Sequence, residues 1–252
     1  MLQYLTSFSP SALAVLILAG GCAPSDAAPV DQSAVDAAAD QQTALNTLSD
    51  AEREAGWRLL FDGETLEGWR SYDSEELPGS WKAQDGSLHR FSRGGDIMTT
   101  AEFSNFELTL DWRVEEGGNS GVFYLAASGS ENIFMIAPEM QVLDDAVHQD
   151  GKDPLTSAGA NYGLHPAPRG VVHPAGEWNS VRIKIENEHI EHWLNGQKIV
   201  EYVIGSPEWT DLVANSKFSQ WPEYGTARTG HIGFQDHGDP VWFRNIKVRE
   251  IG

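Results

Sequence analysis

The sequence predicts an all-β fold, an antiparallel sandwich with short peripheral helices, from three observations. Beyond Trp57, apolar residues recur with a period of two. Asn-Gly and Asp-Gly dipeptides separate several of these runs, as tight hairpins require. The chain also carries 25 glycines, 12 prolines and 9 tryptophans, a composition suited to many turns and half-buried strands. Its 252 residues accommodate one large β-domain with a tail.

At the N-terminus, Ser11 to Cys22 (SALAVLILAGGC) has the length of a signal-peptide core and is too short to cross a bilayer comfortably. Ala19, Gly20 and Gly21 immediately before Cys22 resemble a bacterial lipobox. Residues 1–21 therefore read as a lipoprotein-type signal peptide, and Cys22 as the lipidated residue. No Lys or Arg precedes the run, so only the α-amino group supplies positive charge. Ala23 stands where an inner-membrane retention Asp would be, so the expected address is extracytoplasmic, periplasmic or attached to the outer membrane. Residues 22–47 hold almost no large apolar groups and read as a flexible tether, with the globular domain spanning 48–252. As the chain's one cysteine is Cys22, no disulfide is expected in that domain.

The formal charge of −20 disfavours nucleic acid and anionic lipid surfaces as partners, leaving the lipid anchor as the membrane contact. A neutral ligand such as a sugar fits better. Ser49 and Glu52 have capping-box spacing and predict a short helix ahead of Gly56. FELTLDWRV (106–114) and SVRIKIE (180–186) alternate as half-buried strands, and hairpins are expected at Asp85-Gly86 and Asn195-Gly196. SPEWTDLVANSKF (206–218) predicts a helix with Ser206 as N-cap and Pro207 at its first position. A phosphate-binding glycine loop and a Gly-x-Ser-x-Gly elbow are both absent from the sequence.

Alternation then sorts the polar residues into candidate sites. In EMQVLD, Glu139 and Gln141 share a face opposite Met140 and Val142. In GHIGFQDHG, Gln235 and His237 lie opposite Ile232 and Phe234, with Gly233 expected to leave their face open to a ligand. Asn119 and Ser120 stand at a glycine-lined strand entrance. In WFRNIKV, Trp242, Arg244 and Ile246 are expected on one face, with Arg244 either at a sheet edge or paired with an acid in the cleft. Asp144, Asp145, His148 and Asp150 form an oxygen-rich cluster that could hold Ca²⁺ or another divalent ion, although its spacing is not that of an EF-hand. No motif demands any other cofactor.

Several ordered segments, LFDGETLEGWR, GNSGVFYL, PEMQVLDD, GANYGL, GEWNSVRI, HWLNGQKIVEY and GHIGFQDHGDPVWFRNIKV, together resemble the 3-keto-disaccharide hydrolase family from Leu60 to Val248. The resemblance implies a concanavalin A-like jelly roll and cleavage of glycosides already oxidised to a ketone at C3. Such a ketone acidifies the C2 proton, so a base can remove it, the aglycone can leave C1, and water can add back. On these family-matching positions, Glu139 and His237 are candidates for the proton-transfer pair. Asn119, Gln141, Gln235 and Arg244 are candidates to donate hydrogen bonds to the sugar, and Asp144 and Asp236 to orient a histidine or accept a hydroxyl. Two other readings compete: a noncatalytic carbohydrate-binding module in which residues such as Tyr162 stack on sugar, and a conventional two-carboxylate glycosidase.

Overall fold

The computed structural model describes residues 44–252; the expected signal peptide, Cys22 and most of the expected tether lie outside the described residues. Two antiparallel sheets form the jelly-roll sandwich that the alternation predicts. The first contains β1 (Arg58–Leu59), β3 (Trp81–Gln84), β4 (Ser87–Arg90), β6 (Phe106–Val114), β9 (Asn179–Glu186), β10 (His189–Leu194), β11 (Gln197–Val203) and β13 (Val241–Glu250). Its order is β11-β10-β9-β6-β13-β4-β3, with β1 added beside β13. The second contains β2 (Trp69–Ser71), β5 (Ile97–Thr99), β7 (Asn119–Ala126), β8 (Glu139–Leu143) and β12 (His231–Phe234), ordered β2-β5-β12-β7-β8.

Local chemistry sets the joints. In the hairpins, Asp85-Gly86 and Asn195-Gly196 all take positive φ, joining β3 to β4 and β10 to β11. Helix α1 (Asp50–Glu54) starts at Ser49, whose side chain accepts from Glu52 N while the Glu52 carboxylate accepts from Ser49 N. Helix α2 (Pro207–Ala214) starts at Ser206 as expected. It ends four residues earlier than SPEWTDLVANSKF suggests, at the Asn215 cap, and a separate 3-10 turn follows at Lys217–Gln220.

Aromatic packing joins the sheets. Phe234 of β12 stacks on Phe243 of β13 with centroids 4.0 Å apart, and Trp69 stacks on Phe234 as well, at 4.9 Å. Further along, His192 joins a buried polar chain across the sandwich. Its Nδ1 lies 3.0 Å from Gly159 O and its Nε2 2.8 Å from the Tyr124 hydroxyl, which meets the Tyr202 hydroxyl at 2.7 Å. Nδ1–H therefore donates and Nε2 accepts, which requires a neutral ring; burial pushes its pKa down to about 4.

Two sequence expectations are corrected. The folded body begins before residue 48: Asn46 is buried and exchanges backbone-to-side-chain hydrogen bonds with Asn245, 2.8 Å each way, while its Nδ2 donates to Gly86 O at 2.8 Å. Asn245 itself has φ 53° and sits in a bulge where the β13–β6 register shifts between Arg244 and Lys247. That extra residue turns Ile246 into the core, so it does not share the outward face of Trp242 and Arg244. Truncating the inter-sheet stack with Phe243→Ala is expected to cost about 3–5 kcal/mol in equilibrium denaturation; wild-type stability would show that the stack does not join the sheets.

Candidate active site

The outward face of the second sheet forms a cleft of about 370 Å³. On β8, Met140 and Val142 enter the core while Glu139 and Gln141 line the cleft, as alternation requires. Asn119 comes from the start of β7, and Gln235 and His237 from the segment after β12. Thus five residues predicted from three separate stretches of sequence converge on one cavity.

The backbone makes room for this convergence. Gly121 pairs with Gln141 across the β7–β8 ladder. A Cβ there would lie only 2.0 Å from Glu139 Oε1 and 2.6 Å from its Cδ, so the glutamate lies across the space that the glycine leaves. Gly233 serves a different end from the one expected. Its missing Cβ admits Ile133 Cδ1, which would be 2.7 Å away, so that space holds the 3-10 turn Ile133–Met135 rather than a ligand. This turn brings Phe134 to the cleft wall.

Electrostatics single out Glu139. It is buried (6% exposed), and desolvation raises its pKa from 4.5 to about 8 against the opposing pull of Lys217. Asp96, also in the cleft, is pushed up to about 6 by burial, partly offset by the backbone N–H of Asp236, which donates to it at 2.7 Å. His237 is half-exposed at the rim; burial lowers its pKa and the Asp239 carboxylate, 3.9 Å from Nδ1, acts in the opposite direction. Its ring meets that of His148 edge-on, 6.2 Å between centroids. Buried carbonyl oxygens of the Asn119, Gln141 and Gln235 side chains have no protein partner among the described residues. They are polar groups in a water-poor wall, suited to sugar hydroxyls.

Other expected site residues have structural employment. Asp236 reaches the cleft, but its carboxylate pairs with buried Arg90 at 2.6 Å and accepts from Gly94, Gly95 and Gly238 N–H groups. It fastens the cleft rim. Arg244 is outside the cleft altogether: on the outer face of the first sheet it pairs with Asp111 at 3.1 Å and lies over the Trp178 ring at 3.9 Å. Asp144 is also outside the lining, accepting from Gly117 N at 2.8 Å and Ala146 N at 3.1 Å.

The proposed divalent-ion cluster does not converge. Asp145 accepts from Ala158 N at 2.8 Å, and His148 Nδ1 accepts from Asp150 N at 3.1 Å, so these side chains and Asp144 face separate backbone amides. Among the described residues, the acids and histidine close enough to share an ion are His189, Glu191 and Glu201, and Lys198 already bridges the two glutamates. Asp150 belongs to the cleft instead, within 3.4 Å of the Tyr162 hydroxyl. Tyr162 lines the cleft, but an ammonium covers one face of its ring: Lys217 Nζ, 4.3 Å from the centroid.

Lys217, Asp96, Asp73 and Glu131 are the cleft's charged groups that sequence reasoning missed. Asp96 followed two glycines with no strand pattern around it, and Lys217 was counted as the end of a helix. Burial lowers the pKa of Lys217, opposed by Glu139 and Asp150.

The raised pKa of Glu139 has a signed consequence for stability. Its contribution is fully present below 4.5 and is lost progressively as pH rises to about 8, a loss of about 5 kcal/mol. Glu139→Gln cannot ionise, so its melting temperature should gain on wild type between pH 5 and 8 and hold that advantage above. Parallel pH profiles for the two proteins would show that Glu139 is not desolvated.

Comparison with known proteins agrees with this architecture. The family model described as a 3-keto-alpha-glucoside-1,2-lyase-like domain matches residues 56–249. A Bacteroides thetaiotaomicron protein named 3-keto-disaccharide hydrolase is 40% identical over 192 residues, covering 67% of this chain and 64% of that protein. The chain thus matches less than two thirds of that relative's length. A Parabacteroides distasonis structure provisionally assigned as a glycosyl hydrolase superposes with TM-score 0.77 at 32% identity, covering 82% of this chain and all of that one. A second from the same organism, with the same provisional assignment, gives TM-score 0.62 at 33% identity over 77% of this chain and 99% of its own. The chain belongs to the 3-keto-disaccharide hydrolase family.

Proposed function

We propose that the protein cleaves 3-keto-glycosides by elimination followed by hydration. The observation that carries this reading is Glu139, a carboxyl buried in a polar cleft with its pKa at about 8. At neutral pH it holds a proton, as a general acid must, while His237, its pKa below 6.5, is a neutral imidazole able to accept one. The family relationship supports the substrate class.

The chemistry follows from that pair. His237 removes the C2 proton made acidic by the C3 ketone, and the electron pair passes to the ketone oxygen as an enolate. Collapse of the enolate forms the C1–C2 double bond and expels the aglycone oxygen, which takes the Glu139 proton. Water then adds across that bond: Glu139 recovers a proton as the oxygen attacks C1, and the imidazolium returns one to C2. Each group ends as it began. Asn119, Gln141 and Gln235 hold sugar hydroxyls during the sequence. The expected lipoprotein N-terminus would place this activity outside the cytoplasm.

The paired assay on a 3-keto-disaccharide and its unoxidised parent tests the proposal. Turnover should require the ketone; equal rates on both would replace elimination with conventional glycosidase chemistry, and binding without turnover would leave a sugar-binding module. Roles separate by leaving group. Glu139→Gln should lose about 10²–10⁴ in rate on the disaccharide but far less on a 3-keto-glycoside of an acidic phenol, whose departure needs no proton. His237→Asn should lose similarly on both, and the opposite pattern would exchange the two assignments.

A further inference from the structure

A third group in the cleft has no employment in the proton transfers. Lys217 opens the 3-10 turn Lys217–Gln220, which Ser216 caps by accepting from Phe218 N at 3.1 Å. Its Nζ lies 4.3 Å from the Tyr162 centroid and 5.2 Å from that of Phe218. Among the described residues its Nζ makes no hydrogen bond and no ion pair, although the chain carries a formal charge of −20. Aromatic faces hold a cation without using its N–H groups, so three donors stay free for a ligand. The lysine shares the cleft with Glu139, which is the proton donor in the reading above.

We infer that Lys217 is a catalytic residue of this site: its ammonium binds the C3 oxygen of a 3-keto sugar and carries the negative charge that forms there when the C2 proton is removed. The inference rests on the 3-keto-glycoside reading. It assigns the enolate stabiliser that the side-chain amides supply only as neutral donors. Lys217 acts as an ammonium, forming no bond to carbon: burial lowers its pKa, while two aromatic faces and the Asp150 carboxylate favour its charged form. A preorganised cation facing a developing oxyanion contributes about 10²–10³ in rate.

Enolate formation can be read apart from bond cleavage. A 3-keto-1,5-anhydroglucitol has no leaving group, so its C2 proton exchange in D₂O, followed by NMR, reports the first step alone. Lys217→Met should slow this exchange about 100-fold and lower kcat on a 3-keto-disaccharide more than it raises KM, with an unchanged melting temperature. Lys217→Gln serves as the second variant should the Met protein fold poorly. Exchange within about threefold of wild type in a folded variant would overturn the inference while leaving the substrate reading intact. A borohydride-trapped adduct on Lys217 would overturn it in favour of an imine. If wild-type protein neither exchanges nor cleaves the keto sugars, both readings fall together.

Discussion

The cleft depends on one close approach: the Glu139 side chain lies against the backbone of β7 at Gly121, where any Cβ would come within 2.0 Å of its carboxyl oxygen. The antiparallel β7–β8 register places Gly121 opposite Gln141, two pairs along from the Phe123–Glu139 pair and so on the same face as Glu139. The register is held in turn by Met140 and Val142, which lock the inner face of β8 into the core. Burial on that surface keeps water from the carboxyl and raises its pKa. Sheet packing, a missing methyl group and proton affinity are thus links of one chain.

Elsewhere several acids of this strongly acidic protein are committed to architecture. Asp236 closes a buried pair with Arg90 and gathers three backbone N–H groups; Asp144 organises the turn before β7; Asp111 receives both Arg244 and Asn245. Such carboxylates are satisfied, and breaking one pair would strand a charge. The cleft differs because two of its groups, Glu139 and Lys217, are desolvated and make no side-chain hydrogen bond among the described residues. Glu139 and Asp96 are pushed upward, Lys217 downward, and three side-chain carbonyls lack partners. Perturbed titration without architectural use is what distinguishes functional acids here from the many structural ones.

Much of this was legible wherever two-residue periodicity held. It assigned Glu139 and Gln141 to one face of β8, and Gln235 and His237 to the same side of the β12 segment, and these residues meet. It failed for Ile246, because the Asn245 bulge inserts one residue and reverses every later side chain, a change that no alternation pattern announces, while Arg244 kept its expected face but on the sheet that does not form the cleft. The acid cluster from Asp144 to Asp150 misled for another reason: short acidic side chains serve backbone amides in loops as readily as they serve ions. Lys217 was invisible because its place follows from how one 3-10 turn packs on Tyr162, a long-range contact with no local signature. Gly121 did leave a trace, as a glycine inside a strand, though its partner across the ladder was needed to say what it admits.

The central claim is that Glu139 carries its proton at neutral pH because β7 and the cleft walls desolvate it. The direct measurement is a ¹³C NMR titration of the Glu139 side-chain carboxyl, assigned by its loss in Glu139→Gln. A midpoint at about 8 is the predicted result. A midpoint at about 4.5, the value of a solvated glutamate, would contradict the account.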